Sequence, residues 1–194
     1  MSGLIEHIVN WFKTASDFAH HTIVLGLSLS SVPVVNYLSP SVITSLCLGS
    51  VGVQLGKQLW VANVAGPTMR LNMEKKDFSE ISARLFPKFG MVAIFSGTVA
   101  LAAYNALHPT PDILTYLLSA SLASHLLQSY LIFPYVSKQQ VLLRKFEEGS
   151  AERKKAAMRF GISHGISVLI AYGVIGANLY FFYKTGQHIQ WKQQ

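Results

Sequence analysis

The run from Ser41 to Gly66 constrains this chain more than any other stretch. It is apolar and seeded with glycines, and before Asn63 its only strongly polar side chains are Gln54, Lys57 and Gln58. Coiled as a helix it is roughly 38 Å long, enough to cross the roughly 30 Å hydrocarbon core of a bilayer. Ser45, Gly49, Gly52 and Gly56 recur along one face, and Gly52 to Gly56 is a G-x-x-x-G. In lipid such a face lets two helix backbones approach, because van der Waals contact rather than water release drives association. The face implies packing within a bundle or, alternatively, a dimer seam.

Further apolar segments recur with short connections, which predicts one bundle and no separate soluble domain. Only 13% of the 194 residues are charged, where a soluble domain carries about 25%. The net charge of +7 would ordinarily raise nucleic acid as a partner, but its placement argues otherwise. Arg70, Lys75, Lys76, Arg84 and Lys88 follow the first segment, and Lys138, Arg144, Lys145, Arg153, Lys154, Lys155 and Arg159 precede the last. Between them, Asn105 to Asp112 holds no Lys or Arg. By the positive-inside rule, loops 67–88 and 137–159 are cytoplasmic, and Asn105–Asp112 and the tail are not. Nucleic acid is not an expected partner; the bilayer is, with anionic lipid at the basic loops and a homo-oligomer as further candidates.

Four spans are predicted: Ser41–Gly66, Phe89 to about Leu107, Asp112 to about Val136, and Phe160 to about Tyr183. A charged turn over Arg70–Asp77 separates the first two, Leu85-Phe86-Pro87 enters the second, and His108-Pro109-Thr110-Pro111 forces the second and third to be antiparallel neighbours. Lys138–Arg159 reads as an amphipathic cytoplasmic helix broken near Gly149-Ser150. Tyr180-Phe181-Phe182-Tyr183 suits a membrane boundary. Upstream, residues 3–20 have helical apolar spacing and predict an amphipathic helix lying on the membrane or packed on the bundle. Residues 22–38 are apolar but short and contain Pro33, so an interfacial segment is favoured over a fifth span, which would move the N-terminus across the membrane. Glu6 and Asp17 ahead of that run argue against a cleavable signal peptide. Residues 1–40 are thus an interfacial segment, 41–183 the span domain and 184–194 a loose polar tail.

Polar groups within the spans are the candidates for function. Lys57, nearer the cytoplasmic end than the centre, is expected to extend its stem toward the headgroups, with an ion or substrate contact as the alternative. Gln54 and Gln58, one turn apart, can bond a neighbouring helix or line a solute path. His125 and Gln128 in the third span form a second polar patch, and His164 opens the fourth. Brought together with Gln58, the histidines would suit a proton relay, or a soft metal with Cys47 or Met91 nearby. Hydrogen bonding between helices is the plainer reading. A single cysteine excludes an intrachain disulfide. No H-E-x-x-H, P-loop or G-x-S-x-G is present, and every Asp and Glu lies in a loop, at a span end or in the N-terminal helix. Neither catalysis nor a cofactor is expected.

With these residues in view, the chain resembles the transmembrane protein 205-like family over roughly residues 45–170. The resemblance rests on Gly56, Gln58, Trp60 and Gly66, then Lys75 and Phe78, then Leu85-Phe86-Pro87, and later Phe160, His164, Gly165 and Ser167. The chain departs from the pattern at Gly90, where an aromatic is usual, and at Gln128 and Ala171, where Asn is usual. The resemblance implies four spans with both termini outside the cytoplasm, and an association with resistance to platinum drugs through export or vesicle trafficking. The expectation is an all-α, non-catalytic, four-span bundle. Gln54, Lys57, Gln58, His125, Gln128 and His164 are its candidate polar path for a small solute or soft-metal compound, and Gly49, Gly52, Gly56, Gly161 and Gly165 its packing glycines. The alternative expectation is a scaffold that binds partners or anionic lipid through its glycine faces and basic loop.

Overall fold

The computed structural model describes residues 32–190, without the side chains at positions 75, 76, 79 and 188–190. The helix expected over 3–20 and most of the run 22–38 lie outside the described residues; of the latter, residues 32–35 are helical and Val35 is buried.

Four helical rods follow one another, and no strand occurs among the described residues. The first comprises α1 (Pro40–Leu59), a π-helical segment Trp60–Ala65 and α2 (Gly66–Asn72). The second is α3 (Lys75–Leu107). The third comprises α4 (Ile113–Leu127), a π-helical segment Gln128–Ile132 and α5 (Phe133–Lys145); the fourth is α6 (Ala151–Gln190).

Contacts fix the topology. Cys47 Sγ donates to Ala100 O at 3.6 Å and Lys57 Nζ to Phe89 O at 3.1 Å, so α1 and α3 run antiparallel. Gln128 reaches Ser167 and Gln54 reaches Asn178, which sets α6 antiparallel to both the third rod and the first. The result is an up-and-down bundle. Its upper core joins Ile43, Cys47, Val51, Ala100, Ala103, Tyr104, Leu114, Leu118 and Phe181.

Proline explains both π-helical segments. Pro67 and Pro134 lack the N–H that a regular α-helix needs, and their rings crowd the carbonyl four residues back. Each is preceded by a widened turn in which the residue before it bonds five residues back: Gly66 N–H to Val61 O, and Phe133 N–H to Gln128 O. Gly66 is required there, since a β-carbon would lie 2.8 Å from the Val61 carbonyl oxygen.

Several boundaries differ from expectation. Only Met73 and Glu74 separate the first two rods, so the charged stretch Arg70–Asp77 is mostly helical. Pro87 lies inside α3 rather than ahead of it. The tail also remains helical as far as Gln190, with Gln187 bonded to Tyr183 and Lys184 over the Tyr180 ring. In each case polar residues compatible with helix carry it past the apolar segment, whereas the break near Gly149 occurs where expected, with φ at 85°.

Two helical stretches, Glu80–Leu107 and Ala151–Gln187, are long and apolar enough to cross a membrane. In the other two rods, α1 carries Gln54, Lys57 and Gln58, and α4 stops at 15 residues where the π-helical segment begins. Polarity is inverted relative to a soluble bundle. Gln54, Gln58, His125, Gln128, Gln139 and Asn178 are buried, while Val53, Leu59, Val92, Phe95, Leu131, Ile162 and Leu169 are exposed.

Candidate functional site

The buried polar groups stack as a ladder through the middle of the bundle. On α1, Gln54 is fully buried and Gln58 lies one turn below it. Gln54 Oε1 accepts from Asn178 Nδ2 of α6 at 3.5 Å, and its Nε2 rests against Gly97 of α3. A β-carbon at Gly97 would sit 2.9 Å from Gln54 Nε2 and 3.2 Å from Leu122 Cδ1, so glycine makes room for the amide where α1, α3 and α4 meet.

One turn toward the basic loops stand Lys57, Gln58 and His125. Lys57, expected to send its ammonium toward the headgroups, instead donates to the Phe89 carbonyl of α3, still at the basic end of the bundle. The buried His125 ring follows one turn after Leu122, the α4 residue that faces Gly97. Below them, Gln128 Nε2 donates to Ser167 O at 2.9 Å. Beside it, Ser129 packs against Gly90 so closely that a β-carbon on the glycine would collide with the serine hydroxyl. A side chain at Gly90 would require the Ser129 hydroxyl to turn away.

Four rungs of this ladder are unsatisfied. Gln54 Nε2, Gln58 Oε1, His125 Nε2 and the Ser121 hydroxyl, one turn above His125, are buried and have no hydrogen-bond partner; Ser129 Oγ is a fifth such atom lower down. A buried polar atom left without a partner costs about 1–3 kcal/mol. Several together suit an interior that takes up water or a polar solute.

The structure brings Gln54, Lys57, Gln58, His125 and Gln128 into this ladder but leaves His164 out. That histidine is exposed and stacks on Phe160 of its own helix, with centroids 5.6 Å apart. His164 is therefore not brought together with Gln58 and His125, as a proton relay, or a soft-metal site with Cys47 or Met91, would need. Cys47 is committed to Ala100 O higher in the bundle, and no cluster of three or more His, Cys, Asp or Glu occurs among the described residues.

Within the single chain, the glycines expected to pack do not mark the close approaches, which leaves the dimer-seam alternative open. Gly49, Gly56, Gly161 and Gly165 are exposed, and a β-carbon added at any of them would meet nothing within 4 Å; one at Gly52 would lie 3.9 Å from Phe182 Cζ. The close approaches fall at Gly90 and Gly97 instead. Of the remaining motif residues, Trp60 is exposed, Gly66 serves the first π-helical turn, Phe78 and Leu85 are half-buried, and Phe86 stacks on Phe133 just after the second. Sequence reasoning missed Asn178, although it is the lone carboxamide in the apolar run Phe160–Tyr183.

Residues 49–144 match the model of a family described as a domain of unknown function (DUF4149). No curated protein and no solved structure matches the chain. The DUF4149 match takes in the ladder from Gln54 to Gln128 with Gly90 and Gly97, and it leaves out Ser167 and Asn178. Being uncharacterised, DUF4149 assigns these residues no activity.

Proposed function

We propose that this chain is a non-catalytic, multi-pass membrane protein that moves a small polar solute along the ladder between its rods. The observation that carries the reading is the set of unpartnered polar atoms on Gln54, Gln58, Ser121 and His125, buried beneath an apolar exterior. Lipid supports that arrangement, since an apolar exterior costs nothing in hydrocarbon and polar groups gain most by facing one another. Tyr116 and Tyr135 are exposed on the third rod, about 28 Å apart along its axis, close to the hydrocarbon thickness. Exposed Tyr37, Tyr180 and Tyr183 share the end nearer Tyr116, and exposed Trp60 the end nearer Tyr135. Four spans, cytoplasmic basic loops and likeness to the transmembrane protein 205-like family belong to the same reading. Its test is solute flux in reconstituted vesicles, with uptake expected for the native protein and lost in Gln58→Leu. Equal flux in protein-free vesicles and in both proteins would sink it.

A second reading, a scaffold for anionic lipid or a partner protein, is favoured by a different observation. Lys138, Arg144, Lys145, Lys154, Lys155 and Arg159 all lie exposed around the turn that joins α5 to α6. In this case no flux is expected, and charge reversal at Arg153, Lys154 and Lys155 releases the bound lipid or partner.

A further inference from the structure

The ladder has a sign. Lys57 brings the one formal charge on these rungs and is partly buried between α1 and α3, yet its bond is to a neutral carbonyl. Among the described residues the ion pairs are Arg84–Glu80 and Arg153–Glu148, and no carboxylate lies within ion-pair distance of Lys57. An ammonium has three N–H donors, so one carbonyl leaves it short of partners as well as of countercharge.

Three of the neighbouring orphaned groups can donate. Gln54 offers its amide N–H, Ser121 its hydroxyl, and His125 an N–H at Nε2 in one tautomer. Gln58 presents an unpartnered amide oxygen, which a flip of the amide exchanges for its NH2. No carboxylate stands on any of these rungs to balance the ammonium. Orphaned donors beside an ammonium without a countercharge are complementary to an acceptor that bears negative charge.

We infer that Lys57, with Gln58, His125, Ser121 and Gln54, forms a binding site for a small anion, reached from the basic end of the bundle. The inference rests on the transport reading for its location and adds the charge of the solute. An acceptor-only anion would satisfy the ammonium and the orphaned donors together; a metal cation would face unscreened repulsion from Lys57. The anion has two sources, a free inorganic ion or the phosphate of a lipid from the cytoplasmic leaflet.

The test uses purified full-length protein in detergent, melted in chloride, nitrate or phosphate against an equal ionic strength of gluconate, alongside native mass spectrometry for retained phospholipid. A free-anion site raises the native melting temperature in at least one of the three salts. Apparent affinity then falls about tenfold or more in Lys57→Gln and survives in Lys57→Arg. A lipid source shows instead as a retained anionic phospholipid, lost in Lys57→Gln and kept in Lys57→Arg, with no response to salts. Anion or lipid binding that is equal in native protein and Lys57→Gln overturns the site. So does an anion response that emerges only in Glu6→Gln or Asp17→Asn, which would give Lys57 a carboxylate partner from the N-terminal segment. If Lys57→Gln fails to fold, absence of any salt response or retained lipid in both native protein and Lys57→Arg overturns the inference. Anion binding without flux in vesicles would sink the transport reading and leave the site standing.

Discussion

Asp112 shows how much one side chain settles at the end of the bundle away from the basic loops. It caps α4: its Oδ1 accepts the Thr115 backbone N–H at 2.9 Å, and its Oδ2 accepts the Tyr104 hydroxyl at 2.7 Å. Tyr104 in turn stacks on His108, with ring centroids 4.3 Å apart, so the cap ties the last turn of α3 to the first of α4. Burial pushes the carboxyl upward, but hydrogen bonds from Tyr104, Thr115 and Leu114 outweigh it and hold it below the usual carboxylate range. A folded-state value below the unfolded one means that ionised Asp112 adds stability at neutral pH, and that this is lost as pH falls through the folded value, below about pH 4. Replacing the cap in Asp112→Ala is expected to cost about 1 kcal/mol at pH 7. Thermal melts should show that gap narrowing below pH 4, and a gap that stayed constant down to pH 3 would show that ionisation of the cap does not matter. The short Pro-containing connection was plain in the sequence, but the Tyr104 bond was not, because it depends on which face of α3 points at the loop.

At the scale of the element, the four apolar segments were legible as helices, and two of the resulting stretches are long and apolar enough to cross a membrane. Glycine roles were not legible, since spacing says which residues share a face and not which face meets a neighbour. Gly161 and Gly165 share an outward face of α6, whereas Gly90 and Gly97 mark the crossings of α3 with Ser129 and Gln54. The π-helical turns were hidden for a related reason: Pro67 and Pro134 announce a disturbance but do not say whether the helix kinks, stops or widens. These assignments predict opposite signs for one kind of substitution. Gly165→Ala meets open space and gains helix propensity, so it should stabilise by up to about 1 kcal/mol if that face looks at lipid. At Gly66 the same methyl group would meet a backbone oxygen that cannot rotate away, and at Gly90 it would meet the Ser129 side chain. Overpacking of this sort typically costs about 1–3 kcal/mol, enough to outweigh the propensity gain. Detergent-solubilised variants ranked by melting temperature would check the order, with Gly165→Ala above native and Gly66→Ala and Gly90→Ala below. A Gly165→Ala variant that loses stability would mean that a second copy covers α6.

For the molecule as a whole, rod length and charge placement together dictate how it sits. The second rod has 33 residues and the fourth 40, about 50 and 60 Å as helices, well beyond the hydrocarbon thickness. On α3 the excess falls at the basic end, where Arg84 and Lys88 are exposed, and on α6 it falls partly there, where Lys154, Lys155 and Arg159 are exposed, and partly beyond Tyr183. Lys and Arg near span ends are held on the cytoplasmic side, so the basic extensions should project into the cytosol and the short connection from His108 to Asp112 should lie opposite. The sole cysteine is buried, so replacing Cys47 with Ser provides a background for reporter cysteines. In that background, cysteines introduced at Asp77 or Lys154 should react with a membrane-impermeant maleimide only after cells are permeabilised. A cysteine at His108 should react in intact cells if the protein resides at the surface, or within sealed organelles only after their own membrane is opened. Asp77 and Lys154 lie on different rods, so an odd number of crossings between them would label one and spare the other. Equal protection of the pair, with reversed access at His108, is the pattern that an even-numbered, basic-side-in bundle requires.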